Sequence, residues 1–558
     1  MKYLITSALP YINGIKHLGN LVGSMLPADI YARFLRLNQK EVLYICATDE
    51  HGTPAELAAL AADLSVEAYC ERQHQLQAEI YARFGLSFDH FGRTSSDANK
   101  ELTQHFYTRL DQNGYIEERS IRQMYSLEDA RFLPDRYVIG TCPHCGYTAA
   151  RGDQCENCTR VLDPTDLLSP RSAISNSERL EIRESKHLFL RLPLLSDVVR
   201  SWVEGHAEWP PLSKSIALKW LNEGLQDRGI TRDLVWGVSV PRPGFEGKVF
   251  YVWFDAPIGY ISATKDWAVA HGDSEEWKAW WLSEDVRYSQ FMAKDNLPFH
   301  TVMWPAMILG TGEAWKQADY IKGFNWLNYY GGKFSTSQGR GVFLDQAIDL
   351  LPADYWRYTL MTMAPETNDS AFSWELLQTR INKDLVGTLG NFVNRTLTFV
   401  TKNFGPALPE GGEPGEAEAK LRSQCESLVT RIAESLENME FRKAIDDLYT
   451  LWTVGNQYID AGAPWTLIKT DRAAAAQVVR TCINLIDLYA RISAPFIPFT
   501  SESIANALHL SDTERSRPWP TTIDLTELKA GHSFEVPPLL FRRIEEQEVQ
   551  GWREKFGS

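Results

Sequence analysis

The opening of the chain constrains its fold most. Lys2 to Asn20 reads KYLITSALPYINGIKHLGN. Tyr3, Leu4, Ile5 and Thr6 make a short apolar, β-branched run, the pattern of a buried strand. Ala8-Leu9-Pro10 ends it, Asn13-Gly14 marks a turn, and a helical pattern follows from about Leu18 to Leu37. A buried strand that turns into a helix starts a parallel α/β unit, so an α/β fold with an open parallel sheet is expected. His17-Leu18-Gly19-Asn20 sits at that turn. Free backbone N–H groups and the helix dipole favour anions there, and Gly19 lets a nucleotide lie against the main chain. His17 and Asn20, three apart, point off the first turn toward phosphate or ribose oxygens. The same four residues also read as a capped helix with a surface histidine, and the motif alone does not choose.

Size and charge narrow the class. A chain of 558 residues suits several domains of ~100–200 residues each. Hydrophobic residues make up 44% and Trp numbers 18, ample for large cores, while a net charge of −15 excludes coating nucleic acid by bulk charge. A local basic face for RNA stays open. A strand beginning at residue 2 leaves no room for a targeting peptide, and no run of ~18 apolar residues occurs to span a membrane. Eight Cys, four clustered and four scattered, fit a reducing compartment, so a cytoplasmic protein is expected.

Strand and helix patterns alternate through residues 1–115. Glu41 to Ala47 reads as a second buried strand running into Thr48-Asp49-Glu50-His51-Gly52. Ligands bind at the carboxyl ends of such strands, and Asp49 suits an ammonium group or a ribose, or else caps the next helix. Residues 116–225 break the alternation and carry Cys142-x-x-Cys145 and Cys155-x-x-Cys158. Four thiolates in two knuckles close a tetrahedral zinc site with no open position, hence a structural metal holding a poorly cored insert. A disulfide pair or a redox role is the other reading of the four cysteines. From 226 to 325 the alternation returns. Phe250 to Tyr260 reads as an aromatic-rich strand ending in a Pro-Gly turn, with Phe250 and Phe254 as core and Trp253 and Tyr260 as pocket walls. Phe291 to Trp304 reads as a further strand-and-turn unit. Gly332-Lys333-Phe334-Ser335-Thr336-Ser337 then lies between glycines, at Gly331 before it and Gly339 and Gly341 after it. A lysine on such a loop suits transient contact with phosphates, or the loop is plain solvated surface. Helical patterns from 345 to about 510, connected across 409–415, read as a bundle. The tail is polar, with a helix expected from Arg542 to Lys555.

Taken together these elements resemble the methionyl-tRNA synthetases, a class I aminoacyl-tRNA synthetase family. His17-Leu-Gly-Asn20 is similar to the family's HIGH signature and Lys333-Phe-Ser-Thr-Ser337 to KMSKS. The longer strings ATDEHGTP, ARGDQCENC, YVWFDAPIGY, FMAKDNLPFH and DSAFSW extend the resemblance from Lys2 to at least Trp465. It implies a Rossmann core in two halves, 1–115 and 226–325. A connective insert with a zinc knuckle would span 116–225, a stem-contact segment with the KFSTS loop 326–385, a helical anticodon-binding domain 386–515 and a tail 516–558. It implies a ligase that activates L-methionine with ATP, accompanied by Mg²⁺, and transfers it from methionyl-adenylate to the 3′ end of tRNA(Met). His17, Asn20 and Lys333 would be catalytic, and His17, Gly19, Asn20, Lys333, Ser335 and Thr336 would bind ATP. The methionine pocket would be Leu9, Tyr11, Trp253, Ala256, Pro257, Tyr260, Phe299 and His300, with Asp49 on the substrate ammonium and Tyr260 with His300 offering a hydrogen bond toward sulfur. Asn391, Arg395, Pro464 and Trp465 would read the CAU anticodon. An insert of about 110 residues is too short for a large editing domain beyond the zinc module.

The chain departs from the pattern in places. Thr336 replaces the second lysine of KMSKS, and Arg340, four residues on, is the expected substitute. Asn20 replaces the last His of HIGH. The stretches matching a second zinc knuckle, Tyr125 to Asp129 and Ser169 to Ser177, lack Cys, so one zinc is expected. No oligonucleotide-fold extension follows, so a monomer is expected. The alternative functional reading is a catalytically silent paralogue that binds tRNA or methionine; a synthetase for another apolar amino acid is weaker still.

Overall fold

A computed structural model describes residues 1–152, 155, 157, 158, 160, 162–334 and 340–557, with Asp135 described by its backbone alone. Strand β1 (Lys2–Ser7) is the middle of a five-stranded parallel sheet. Leu4 and Ile5, fully buried, enter two separate cores on its opposite faces. That explains the unbroken apolar run, because a parallel strand has no wet side. On one side β1 pairs with β2 (Glu41–Thr48), which pairs with β3 (His90–Arg93). Strands β4 (Ile116–Ser126) and β5 (Leu180–Leu190) follow in the insert. The other side of β1 is filled by β6 (Val286–Ala293), with β7 (Tyr320–Phe324) beyond it. The order β7-β6-β1-β2-β3 reverses direction at β1. Ligands of open parallel sheets bind at such a switch point, beyond the strands' carboxyl ends.

The first helix is continuous but not uniform. An α-turn Leu18–Asn20 leads into a π-turn Leu21–Met25 and an α-helix Leu26–Leu37. The insert is built on a long antiparallel ribbon in which β4 and β5 pair from Ile116–Leu190 to Ser126–Leu180. A three-stranded sheet of Val138–Thr141, Ala150–Arg151 and Leu168–Ser172 carries the cysteines.

The aromatic stretch Phe250–Tyr260 is a correction. Only Val249–Phe250 is strand; Val252–Asp255 is α-helical, Ala256–Ile258 a 3₁₀ turn and Gly259–Ala270 a helix. The aromatic residues favour strand on propensity, but packing overrides it, and Pro257 fits a first helical turn. Gly259 is required: a Cβ there would lie 2.9 Å from Thr94 Cγ2 and 3.1 Å from Leu9 Cδ1. Likewise β6 ends at Ala293, and the rest of the expected strand-and-turn unit becomes a π-turn Phe299–Met303 and a helix Trp304–Thr311.

Beyond the sheet, helix Ala353–Thr362 is buried along its whole length and joins the core to a bundle of Asn391–Phe404, Glu416–Glu437, Phe441–Gly462 and Arg472–Ser493. The polar tail is anchored. Trp519 meets Phe34 edge-on at 5.1 Å, and helix Glu546–Phe556 sets Trp552 against Trp374 at 5.0 Å.

Candidate active site

His17 caps the first helix. Its Nδ1 accepts from the Asn20 backbone N–H (3.3 Å), and Asn20 Oδ1 accepts from the His17 N–H (3.1 Å). The two signature side chains thus hold each other in a reciprocal capping box. Gly19 cannot be larger without crowding, since a Cβ would lie 3.0 Å from His17 Nδ1. Burial pushes the half-buried His17 imidazole down to about 4, with neighbouring Lys16 acting the same way, so the ring is neutral at pH 7. Phe334, next to Lys333, stacks on that ring at 4.7 Å and 13°, and Phe343 stands edge-on at 6.5 Å. Leu18 N donates to Val342 O and Leu344 N to Lys16 O, which ties the His17 turn to the segment that follows the second signature. Lys333 Nζ sits 4.5 Å over the Trp326 ring. Arg340 Nη2 donates to Tyr329 O (3.2 Å), and its guanidinium lies over Gly332. Ser335 and Thr336 lie outside the described residues.

A cavity opens at the carboxyl ends of β1 and β2, lined by Leu9, Tyr11, Asp49, Trp253, Ala256, Pro257, Tyr260, Phe299 and His300 with Asn296. The first three come from the loops after β1 and β2, tied together by Ile12 N to Asp49 O and Asp49 N to Pro10 O, both 2.9 Å. The others come from the helical segments before and after β6. Trp253 meets Phe299 edge-on at 4.2 Å, an aromatic wall. Asp49 Oδ1 is buried without a partner among the described residues. Burial raises its carboxyl well above the usual range, and nearby Asp255 and Glu50 raise it further. Such a group calls for a cation. Asp255 itself is paired to His51 Nδ1 at 2.5 Å.

At the far wall His300 Nδ1 lies 3.0 Å from Asn296 O, and Nε2 lies 2.9 Å from Tyr260 Oη. A carbonyl can only accept, so Nδ1 carries a proton, and in the neutral ring Nε2 then accepts from the Tyr260 hydroxyl. Burial pushes this imidazole down to about 4. The Tyr260 proton is therefore engaged with His300 here rather than free to reach toward sulfur.

Cys142, Cys145, Cys155 and Cys158 are free thiols whose sulfurs all lie within 4.8 Å of one another. Cys142 and Cys158 are 3.8 Å apart, and Cys145 and Cys155 3.6 Å. A tetrahedron of thiolates with Zn–S of about 2.3 Å has edges of about 3.8 Å, so the donor set fits a four-coordinate metal. The His144 N–H points at Cys142 Sγ (3.4 Å), as backbone donors in metal knuckles do. Glu56 of the core latches the insert by accepting from Arg131 and the Tyr137 hydroxyl, and it also accepts from Val235 N and Trp236 N beyond the insert.

In the bundle, Arg395 pairs with Asp460 at 2.9 Å and lies 5.2 Å over the Trp465 ring, which is 38% exposed. Asn391 is exposed one turn before Arg395, and Pro464 is buried at the start of the short helix bearing Trp465. The structure thus brings Arg395 and Trp465 together from helices some seventy residues apart. Sequence reasoning missed Asn296, Phe334, Phe343 and the His51–Asp255 pair. Asn296 lies inside the FMAKDNLPFH string, but the other contacts span distances that no local pattern signals.

The family model described as tRNA synthetases class I (M) matches residues 3–397, and that of the anticodon binding domain of methionyl tRNA ligase matches 408–558. Methionine–tRNA ligase 1 of Acaryochloris marina is 64% identical over 561 residues, covering 100% of both chains. Methionine–tRNA ligase of Streptomyces avermitilis is 57% identical, covering 100% of this chain and 99% of its own. Among solved structures, Mycobacterium tuberculosis methionyl-tRNA synthetase in complex with methionyl-adenylate superposes with a TM-score of 0.78 at 25% identity, covering 97% of this chain and 100% of its own.

Proposed function

This chain belongs to the methionyl-tRNA synthetases of class I, and from that membership we propose how its own residues carry out the reaction. The enzyme is a ligase. The methionine carboxylate attacks the α-phosphate of ATP, pyrophosphate leaves, and methionyl-adenylate forms. The terminal adenosine hydroxyl of tRNA then attacks the methionyl carbonyl and AMP leaves. No observation favours a silent paralogue.

The observation that carries the residue assignment is the cavity at the switch point. Its aromatic walls, Trp253, Tyr260 and Phe299, suit an unbranched thioether, and Asp49 supplies the partner for the substrate ammonium. Methionine seated there points its carboxylate toward the His17–Asn20 turn. The helix N-terminal amides, neutral His17 and Asn20 donate to the ATP phosphates, and Lys333 adds positive charge where it develops. Arg340 serves in place of the second signature lysine. Mg²⁺ travels with ATP as part of the substrate. The four cysteines hold one structural zinc, which supplies rigidity to the insert and no chemistry. Asn391, Arg395 and Trp465 take splayed anticodon bases by hydrogen bonding and stacking. A monomer in the cytosol completes the reading.

Methionine-dependent ATP–pyrophosphate exchange on the purified chain tests it, with leucine, isoleucine and valine as controls. Exchange with methionine alone is expected. Exchange that survives Arg340→Ala unchanged removes Arg340 from its role.

A further inference from the structure

Arg357, on helix Ala353–Thr362, is fully buried, and so is Asp29, nine residues beyond Asn20 on the first helix. Every N–H of the Arg357 guanidinium has an acceptor. Nε donates to Phe496 O (2.9 Å), Nη1 to Phe84 O (3.2 Å) and Gly85 O (3.3 Å), and Nη2 to Asp29 Oδ2 (2.7 Å) and Pro495 O (2.9 Å). Asp29 is equally committed. Arg33 Nε donates to Oδ2 (2.9 Å), and the Ser87 N–H and hydroxyl both donate to Oδ1 at 2.6 Å. Burial alone would raise the Asp29 carboxyl, but the Arg357 and Arg33 charges and the Ser87 donors hold it below its ordinary value. One fork therefore joins four segments. These are the helix that carries His17 and Asn20, the Phe84-Gly85 turn of the catalytic half, the helix leading to the bundle, and the Pro495-Phe496 corner of the bundle itself.

An apolar patch at this junction would hold the parts together but allow them to slide. Five directional bonds from a planar, rigid donor do not. The segments so fixed are those whose relative angle decides whether a tRNA gripped at Trp465 presents its other end at the adenylate. We propose that Arg357 and Asp29 are positioning residues for the transfer step, setting the angle between the His17–Asn20 helix and the anticodon bundle. The proposal rests on the anticodon reading given above. It assigns the pair no part in adenylate formation, which needs only the catalytic half.

The test uses the full-length enzyme and Arg357→Lys, which keeps the charge and loses the fork, together with Asp29→Asn, which keeps the four carbonyl bonds of Arg357. Rates are referred to active sites counted by the adenylate burst. Methionine-dependent exchange is expected to stay within about threefold of the parent, while kcat/KM for tRNA charging falls at least about tenfold in Arg357→Lys and less in Asp29→Asn. A loss of fold lowers the site count and leaves the two rates per site in proportion, so the split separates positioning from mere stability. Should Arg357→Lys not fold, Asp29→Asn carries the test. Equal losses in exchange and charging, or unchanged charging, overturn the proposal. Trp465→Ala run in parallel checks the premise: charging unchanged in that variant removes the anticodon reading and the proposal with it, whatever Arg357→Lys does.

Discussion

Asp49 illustrates how much one residue can announce. Its carboxylate is 5% exposed, has acidic neighbours and leaves one oxygen without a partner among the described residues. Asp49→Asn keeps the shape and removes the charge proposed as the partner of the substrate ammonium. Its kcat/KM for methionine should fall by about 10²–10³-fold, the cost of unpairing a buried charge, with the ATP KM within a few fold. Equal losses for both substrates would sink the assignment. His300 gives a second prediction. Its folded value of about 4 lies below the ordinary 6.5. Between those values the unfolded chain binds a proton that the folded chain does not, so stability is full above about pH 6.5 and drains as pH falls toward 4. Calorimetry from pH 7 to 5 should show the melting temperature falling, and less steeply in His300→Gln, because His17 with the same depressed value still contributes. Asp49 and His300 were legible because each lies in a string that ends a strand or opens a helix. The proton direction between Tyr260 and His300 was not, because it depends on the Asn296 carbonyl one helical turn away.

Among the elements, the two ends of the first β–α unit were readable and the aromatic segment after Phe250 was not. β1 is identified by its unbroken apolar run, and the first helix by a helical pattern sustained from Leu18 to Leu37. Val252–Ile258 is too short for a period, and its aromatics point to strand until Pro257 and the close approach at Gly259 are weighed. The insert was legible through its cysteines alone. Its latch, Glu56, lies in the helix Thr53–Ala61 of the core and reaches four donors through the fold. Glu56→Gln should lower stability by about 1–3 kcal/mol, since a charged acceptor shared by four mostly half-buried donors is lost. The loss should appear as faster proteolysis within 116–225 before global unfolding, and uniform protection would argue against a latch. Metal analysis should return one zinc per chain, and a strong chelator should loosen the same insert. Two equivalents would refute the single-site reading.

At the scale of the whole molecule, the roles proposed for the parts are separable by experiment. Trp465→Ala should weaken tRNA charging by about 5- to 100-fold, the worth of one stacked base, and leave methionine-dependent exchange intact. A fall in both would mean that the bundle also shapes the adenylation site. The sequence pointed to the parts and their order, while the joints stayed hidden. Nothing near Arg357 or Asp29 marks them as partners 328 positions apart. The sheet has its own long joint, and this one bears on how the protein is made. Strand β1 pairs with β6 across roughly 280 residues of chain. At synthesis rates of about 5–20 residues per second, the inner edge of β1 waits on the order of 15 to 60 seconds for its neighbour. Through that interval its N–H and C=O groups are an open edge, the kind that chaperones cover and aggregates exploit. The cavity beyond β1 and β2 draws walls from both sides of the gap, so it cannot close until Phe299 and His300 have been made.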